Sequence, residues 1–294
     1  MGIKSNALPA VENFSKGNDF IVNGPAGTGR MTGDAAAEFM KEYFLAGGVP
    51  YGKELNESWA SLQARIQSGD FTGIHIGDFK TIQLSTGETV VMEVAGIDQY
   101  YKCGDATIGH HIDFISRDCL AGGKQYNTEN NNNGTEVEPN PWRASLLFQT
   151  MNGEGGVVTT LPADLQACII EKRALLEQRY SSAGPLTAAS GWAWYDMGKL
   201  WLPTEVEVFG HATWSEPGYG TGGGGCNLQY PIFTGGAKHI IKGDGHGGAR
   251  CAWWGASASR LNSTNFCYVG GGGLAYGGVA SYTGLRVPLC FRIG

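Results

Sequence analysis

No run of about 18 apolar residues occurs in the 294-residue chain, so nothing in it reads as a membrane-spanning helix. Charge is sparse. Asp, Glu, Lys and Arg make up 16% of residues and the net charge is −6, which leaves no basic footprint for nucleic acid or an anionic lipid surface. The first residues, MGIKSNALPAVENFSKG, lack an apolar signal core, and the expectation is a protein made in the cytoplasm and held there until lysis or assembly. Seven cysteines (103, 119, 168, 226, 251, 267 and 290) include no CxxC pair and no regular spacing. Neither a disulfide framework nor a zinc site is legible, so most are expected to be small buried apolar residues.

The sharpest absence is local. Residues 255–283, GASASRLNSTNFCYVGGGGLAYGGVASYT, hold no Lys, Glu, Gln, Met or Trp, although those five types supply 50 of the 294 residues. At that frequency about five would be expected in these 29 positions. Every residue type present can be written with a codon ending in C. Tyrosine, serine, glycine and asparagine are also the residues of antibody paratopes, where tyrosine gives contact area at low entropy cost and small residues give adaptable hydrogen bonding. The composition favours a binding loop over a partnerless low-complexity glycine loop.

Apolar anchors flank the stretch. Trp253 and Trp254 precede it. After it, Leu285, Val287, Leu289, Phe291 and Ile293 alternate with Arg286, Pro288, Cys290 and Arg292, the period-two pattern of a half-buried strand. Within the stretch the bulky or polar residues Ser257, Ser259, Arg260, Leu261, Tyr268, Leu274, Tyr276, Ser281, Tyr282 and Thr283 are the candidate ligand contacts. Trp253, Trp254, Phe266 and Cys267 read as scaffold.

Elsewhere, 47 glycines, 12 tyrosines and 8 tryptophans suggest a loop-rich chain with short strands. Residues 1–68 read as a separate N-terminal unit and 69–294 as the main domain. In the former, residues 19–23 form a strand, GPAGTG (24–29) a turn, and a helix starts at Thr32-Gly33-Asp34. GPAGTG lacks the Gly-Lys-Ser/Thr of a phosphate loop. A second helix over 55–67 places Trp59, Leu62 and Ile66 on one face. The unit is too small for a core of its own, so it is expected to self-associate or dock on a partner.

Residues 72–101 alternate well enough for three strands, and Lys124 to Asn140 reads as a polar surface loop. Trp142 to Met151 opens a short helix. The stretch from Leu161 gives the clearest one, with Leu165, Cys168, Ile169, Leu175 and Leu176 as its apolar stripe and Glu171, Lys172, Arg173, Glu177 and Arg179 as its solvated face. Leu200 to Val208 reads as a strand or a strand-to-helix corner, followed by a glycine-rich loop at 218–225. His110, His111 and Asp113 fit a structural role better than a metal site, because adjacent strand residues face opposite ways. Asp244 and His246 have no nucleophile that sequence can pair with them. Trp214, Tyr219 and Tyr230 are read as core aromatics or secondary contacts.

KLWLPTEVEVFG (199–210), YPIF (230–233), WWGAS (253–257) and NFCYV (265–269), with YNTENNNNGTEVEPNPWRASLLFQTMNG (126–153) and LPADLQACI (161–169), resemble variable proteins of diversity-generating retroelements from phages and prophages. The likeness covers roughly residues 70–294. Where that family closes its tail with Gly-Val-Arg-Pro, this chain has Gly284-Leu285-Arg286-Val287-Pro288.

The resemblance implies an α+β, C-type-lectin-like fold with short twisted strands, a few helices and long loops. It further implies a non-enzymatic receptor-binding protein of a virion, at a tail fibre or tail tip, with a variable face at about 255–283. The implied partners are a host-surface protein or glycan, other virion proteins through the N-terminal segment, and further copies in a homotrimer. No cofactor, metal, nucleic acid or membrane insertion is implied. A capsid-decorating adhesin is one alternative. Another is an enzyme like the formylglycine-generating oxidases, which share the fold and need two close cysteines; here Cys251, Cys267 and Cys290 would have to meet in space.

Overall fold

Helix α1 (Trp59–Gln67) shows how the body is assembled. The Ser58 hydroxyl accepts the Ser61 N–H at 3.1 Å and caps its start. Trp59, Leu62 and Ile66 then fall on one buried face. Trp59 meets Phe114 and Phe291 edge-on, with ring centroids 5.5 and 5.7 Å away. Gln63 and Gln67 reach the Gly294 carbonyl at 2.9 and 3.1 Å.

The structure is a computed structural model that describes residues 52–104, 107–217, 229–235 and 237–294, together with strands β1 (Phe20–Gly24) and β2 (Gly27–Met31). It divides into two units, Met1–Tyr51 and Gly52–Gly294. The boundary therefore falls before α1 and not at residue 68, because the apolar face of that helix belongs to the core of the second unit. In the first unit β1 and β2 pair antiparallel from Phe20–Met31 to Gly24–Gly27. GPAGTG is thus partly strand and not wholly turn. The helix expected from Thr32 lies outside the described residues, as do the 218–225 loop and Tyr219.

The fold is α+β with antiparallel sheets and short helices. Its main sheet comprises β3 (Phe79–Gln83), β4 (Thr89–Ile97), β5 (Ile112–Cys119), β6 (Ile169–Ile170) and β14 (Pro288–Ile293), in the order β3-β4-β5-β14-β6. Residues 72–101 supply two strands and not three, since 72–78 turn through Gly73 and Gly77, both at positive φ. Strand β14, expected to be buried on one face only, is buried at every position. Its polar face is satisfied internally: Arg292 donates to Asp113 at 2.7 and 2.8 Å, and Tyr230 donates to the same carboxylate at 2.8 Å.

Similar burial corrects the reading of 161–179. Helix α3 (Ala163–Cys168), which follows α2 (Leu146–Asn152), ends at Cys168. The chain turns through β6 into β7 (Arg173–Gln178), which pairs with β8 (Gly191–Asp196). Of the charges expected in solvent, Glu171 is exposed and Arg173 half-exposed, but Lys172, Glu177 and Arg179 are inside. Lys172 meets Glu207 at 2.5 Å and lies 3.9 Å from the centre of the Trp201 ring. Glu177 lies 3.4 Å from Arg179 with both side chains enclosed. Charged residues with partners waiting in the fold gave the pattern of a solvated helical face.

Thr204 and Glu207 form a reciprocal capping box on α4 (Glu205–Phe209), and Gly210 ends that helix at φ 78°. Short helices α5 (Pro231–Thr234) and α6 (Ala237–Ile240) lead to β9 (Lys242–Gly243) and β10 (Arg250–Cys251), which pair with each other. The last sheet is built from the tail: β11 (Trp253–Ala258), β12 (Asn265–Val269) and β13 (Ala275–Val279), in that order.

Candidate functional site

The glycine-rich tail is an ordered sheet held by both flanks. Trp253 and Trp254 are wholly buried, and their indole N–H groups donate to the carbonyls of Ile240 and Lys124 at 2.9 and 2.7 Å. Phe266 lies flat on Tyr126, centroid to centroid 3.5 Å, while Trp254 meets Tyr126 edge-on. Phe266 and Cys267 are buried too. All four residues read as scaffold are in the interior.

The polar loop at 124–140 grips this sheet. Asn132 is buried and donates its amide to the carbonyls of Ser259 and Asn262 at 3.1 and 3.0 Å, with that of Asn265 also in reach. The Asn130 carboxamide oxygen accepts the backbone N–H and hydroxyl of Ser281. Tyr126 and Asn127 both donate backbone N–H groups to Ala280 O. A run of asparagines looks like solvent-facing loop because sequence gives no sign of the carbonyls it will meet.

A second clamp comes from α4. Glu205 collects the backbone N–H groups of Thr213, Trp214 and Ser215 and the Ser215 hydroxyl. So fixed, Trp214 donates its indole N–H to Ala275 O at 3.0 Å, and its own carbonyl accepts Arg260 N–H. Trp214 is half-buried and supports the sheet; Tyr230 is a core residue stacked on Trp201.

The candidate contacts separate by exposure. Ser259 is buried, with its carbonyl taken by Asn132 and by Arg179 at 2.9 Å. Ser257 lies half-buried in β11, its hydroxyl accepting Glu205 N–H at 3.0 Å. Both hold the sheet in place. Ser281 is half-exposed and tied to Asn130, whereas Arg260 and Thr283 are exposed. Leu261, Leu274, Tyr276 and Tyr282 are 59%, 63%, 41% and 53% exposed. Val279, which the sequence reading passed over, is 41% exposed. It was legible as a large apolar side chain among glycines. The outward part of the stretch begins at Arg260, since Gly255–Ala258 run inside β11.

Tyr268 pairs with Tyr276 across β12 and β13, and their rings stack 5.5 Å apart. Burial, then the neighbouring Tyr276 and Tyr282 hydroxyls, push the Tyr268 phenol above its ordinary value. Glycines face these rings: a methyl group on Gly270 would stand 2.7 Å from the Tyr276 ring, and one on Gly278 would stand 3.1 Å from that of Tyr268. Leu274 occupies the turn between the two strands. Leu261 and Val279 lie toward the opposite end of the sheet, where Asn265 pairs with Val279. Residues 255–283 contain one charged side chain, Arg260, and no Asp, Glu or His.

The three cysteines considered for an oxidase site do not behave as a set. Cys267 is buried with its thiol 3.7 Å from Ala258 O, and its pKa is pushed up by burial and by Glu205 and Glu177. Cys290 is buried in β14. Cys251 is half-buried at the end of β10, where it pairs with Lys242. Cys103, against expectation, is disulfide-bonded.

His111 is buried, its Nε2 accepting Tyr100 N–H at 3.3 Å and its Nδ1 2.8 Å from Gly109 O. Burial, seconded by Arg292, lowers its pKa, and both ring nitrogens have partners inside the fold. Asp244 pairs with Arg286 at 2.6 Å. Among the described residues, no group of three or more His, Cys, Asp or Glu side chains is arranged to hold a metal. No family model, curated protein or solved structure matches this chain.

Proposed function

We propose that this chain is a receptor-binding protein of phage or prophage type, with a C-type-lectin-like body that presents a diversified face at residues 260–283 to a protein or glycan on the host surface. One observation carries the reading. Among the described residues nine large apolar side chains are exposed, and five of them, Leu261, Leu274, Tyr276, Val279 and Tyr282, fall within the stretch whose residue types can all be written with codons ending in C. Exposed apolar groups on the turns and edge strand of an anchored sheet are the kind of side chain that interaction surfaces use.

The lectin-like reading is supported by β14 lying beside β5, with the small tail sheet folded between two buried anchors. A face whose only formal charge is Arg260 suits binding better than acid–base catalysis, which needs groups that titrate near the working pH. The first unit, Met1–Tyr51, is the proposed attachment segment, and a homotrimer would raise weak single-site binding by multivalency.

Sequencing the 3′ end of the gene and its flanks in independent isolates tests the reading. The expected result is a nearby template repeat, with substitutions concentrated at Arg260, Leu261, Tyr268, Leu274, Tyr276, Val279 and Tyr282 and absent from Trp253, Trp254 and Phe266. An invariant tail without a template would overturn diversification.

A further inference from the structure

A cleft of about 310 Å³ opens where the β7–β8 hairpin meets the start of α4 and strand β11. Its charged lining is of one sign: Glu177 and Glu216 line it, and no Lys, Arg or His does. Trp192, Leu176 and Pro141 give it apolar walls, while Ser257 and Thr204 bring hydroxyls. Register puts Glu177 directly across the hairpin from Trp192, so both side chains stand on the same face.

Glu177 is the unexpected member. It is 7% exposed, a depth at which carboxylate oxygens are ordinarily all hydrogen-bonded. Oε1 accepts Ala258 N–H at 3.1 Å, but Oε2 accepts no hydrogen bond. Arg179 Nε stands 3.4 Å from Oε2, an ion pair without a hydrogen bond, and its other two nitrogens donate to the carbonyls of Ser259 and Thr187. Two carboxylates against one guanidinium leave this corner one positive charge short. Burial, with a smaller push from Glu216, opposes ionisation of Glu177, and Arg179 offsets only part of that.

We propose that this cleft binds a primary alkylammonium group, with the charged head between Glu177 and Glu216 and the stem along Trp192 and Leu176. A cation supplies the missing charge, whereas a carboxylate or phosphate would meet charge of its own sign. An ammonium has three donors and no acceptor, which suits the oxygens on offer. Oε2 of Glu177 is unused, and the Glu216 carboxylate accepts Ala189 N–H at 3.3 Å. The hydroxyls of Ser257 and Thr204 each accept one backbone N–H, from Glu205 and Glu207, and each keeps a second lone pair. Free amines and lysine side chains present the same head group. The assignment holds whatever the face at 260–283 binds.

The test is a titration of the folded full chain followed by amide chemical shifts, at about pH 8, above the value of about 7 for Glu177. The probes are n-butylammonium chloride, Nα-acetyl-lysine amide and, as the uncharged match, n-butanol, all at equal chloride. The expected result is saturable binding of the ammonium, with shifts at residues 177, 192 and 257, none with n-butanol, and affinity about tenfold or more weaker in Glu177→Gln. Glu216→Gln, at a half-exposed position, should weaken binding without loss of fold. Tighter binding of the lysine derivative would support a lysine of another protein as the occupant, and tighter binding of butylammonium a free amine. No saturation by either ammonium, equal binding of n-butanol, or unchanged affinity in a folded Glu216→Gln chain would overturn the proposal.

Discussion

Tyr276 lies over Gly270: the ring is so close to the glycine α-carbon that a methyl group there would stand 2.7 Å from it. The ring also stacks on Tyr268, with planes 23° from parallel. Backbone on one side and an aromatic ring on the other fix its direction. Gly270→Ala should therefore displace the Tyr276 ring while leaving the fold intact. The check is near-ultraviolet circular dichroism beside a thermal melt; an unaltered aromatic spectrum would show the ring is not held there.

Replacing Leu274, Tyr276 and Tyr282 together by serine should cost little stability, since exposed positions usually contribute within about 0.5 kcal/mol each. On the proposed function, cell-surface binding should fall at least tenfold, because aromatic anchors dominate the energy of an interface. Trp254→Ala should do the opposite, costing about 3–5 kcal/mol of stability through the cavity it leaves. Urea unfolding and binding of labelled protein to host cells separate the two effects.

Asn132 is one side chain serving the turn between β11 and β12. Its replacement by alanine leaves the carbonyls of Ser259, Asn262 and Asn265 without that donor. The expected cost is about 1–3 kcal/mol. Amide hydrogen exchange should rise at residues 260–265 first and leave β5 protected; uniform exchange across the body would contradict a local clamp.

Two buried carboxylates give opposite pH dependences. Burial alone would raise Asp113, but the Arg292 guanidinium outweighs it and holds the carboxyl at about 2, below its ordinary 3.8. Its contribution is complete above about pH 4 and is lost as the pH falls toward 2. Burial lifts Glu177 from 4.5 to about 7 against the pull of Arg179, so ionising it works against folding. That penalty is absent below about 4.5 and grows until the pH passes 7. Urea midpoints across pH 2 to 8 should peak between the two windows. Glu177→Gln should flatten only the fall above pH 4.5, and Asp113→Asn only the fall below pH 4.

What was legible in the sequence was periodic or compositional. Trp59, Leu62 and Ile66 mark one helix face, and the C-terminal alternation marks a strand. Trp253 and Trp254 declare themselves anchors by size, and the tyrosines and leucines stand out against glycine. The unreadable part was charge at a distance. Lys172 meets Glu207, Arg292 meets Asp113, and Asn132 meets three carbonyls far along the chain. A local window sees only a polar residue in each case. Ser257 and Ser259 lie inward for the same reason, since small hydroxyls look alike whether they face water or the backbone N–H groups of Glu205 and Leu261.

Strand β14 is the fourth of five in the main sheet, with β5 on one side and β6 on the other. During synthesis those two neighbours emerge long before residues 288–293, and each waits with a bare hydrogen-bonding edge. A ribosome that stops ahead of Pro288 therefore releases a chain without the strand that joins β5 to β6, a species open to aggregation and proteolysis. Translation must pass through the whole glycine-rich stretch before the body can close. A frameshift or stop codon arising there therefore costs the main sheet its last strand, and a folded body requires an intact reading frame through residues 255–283.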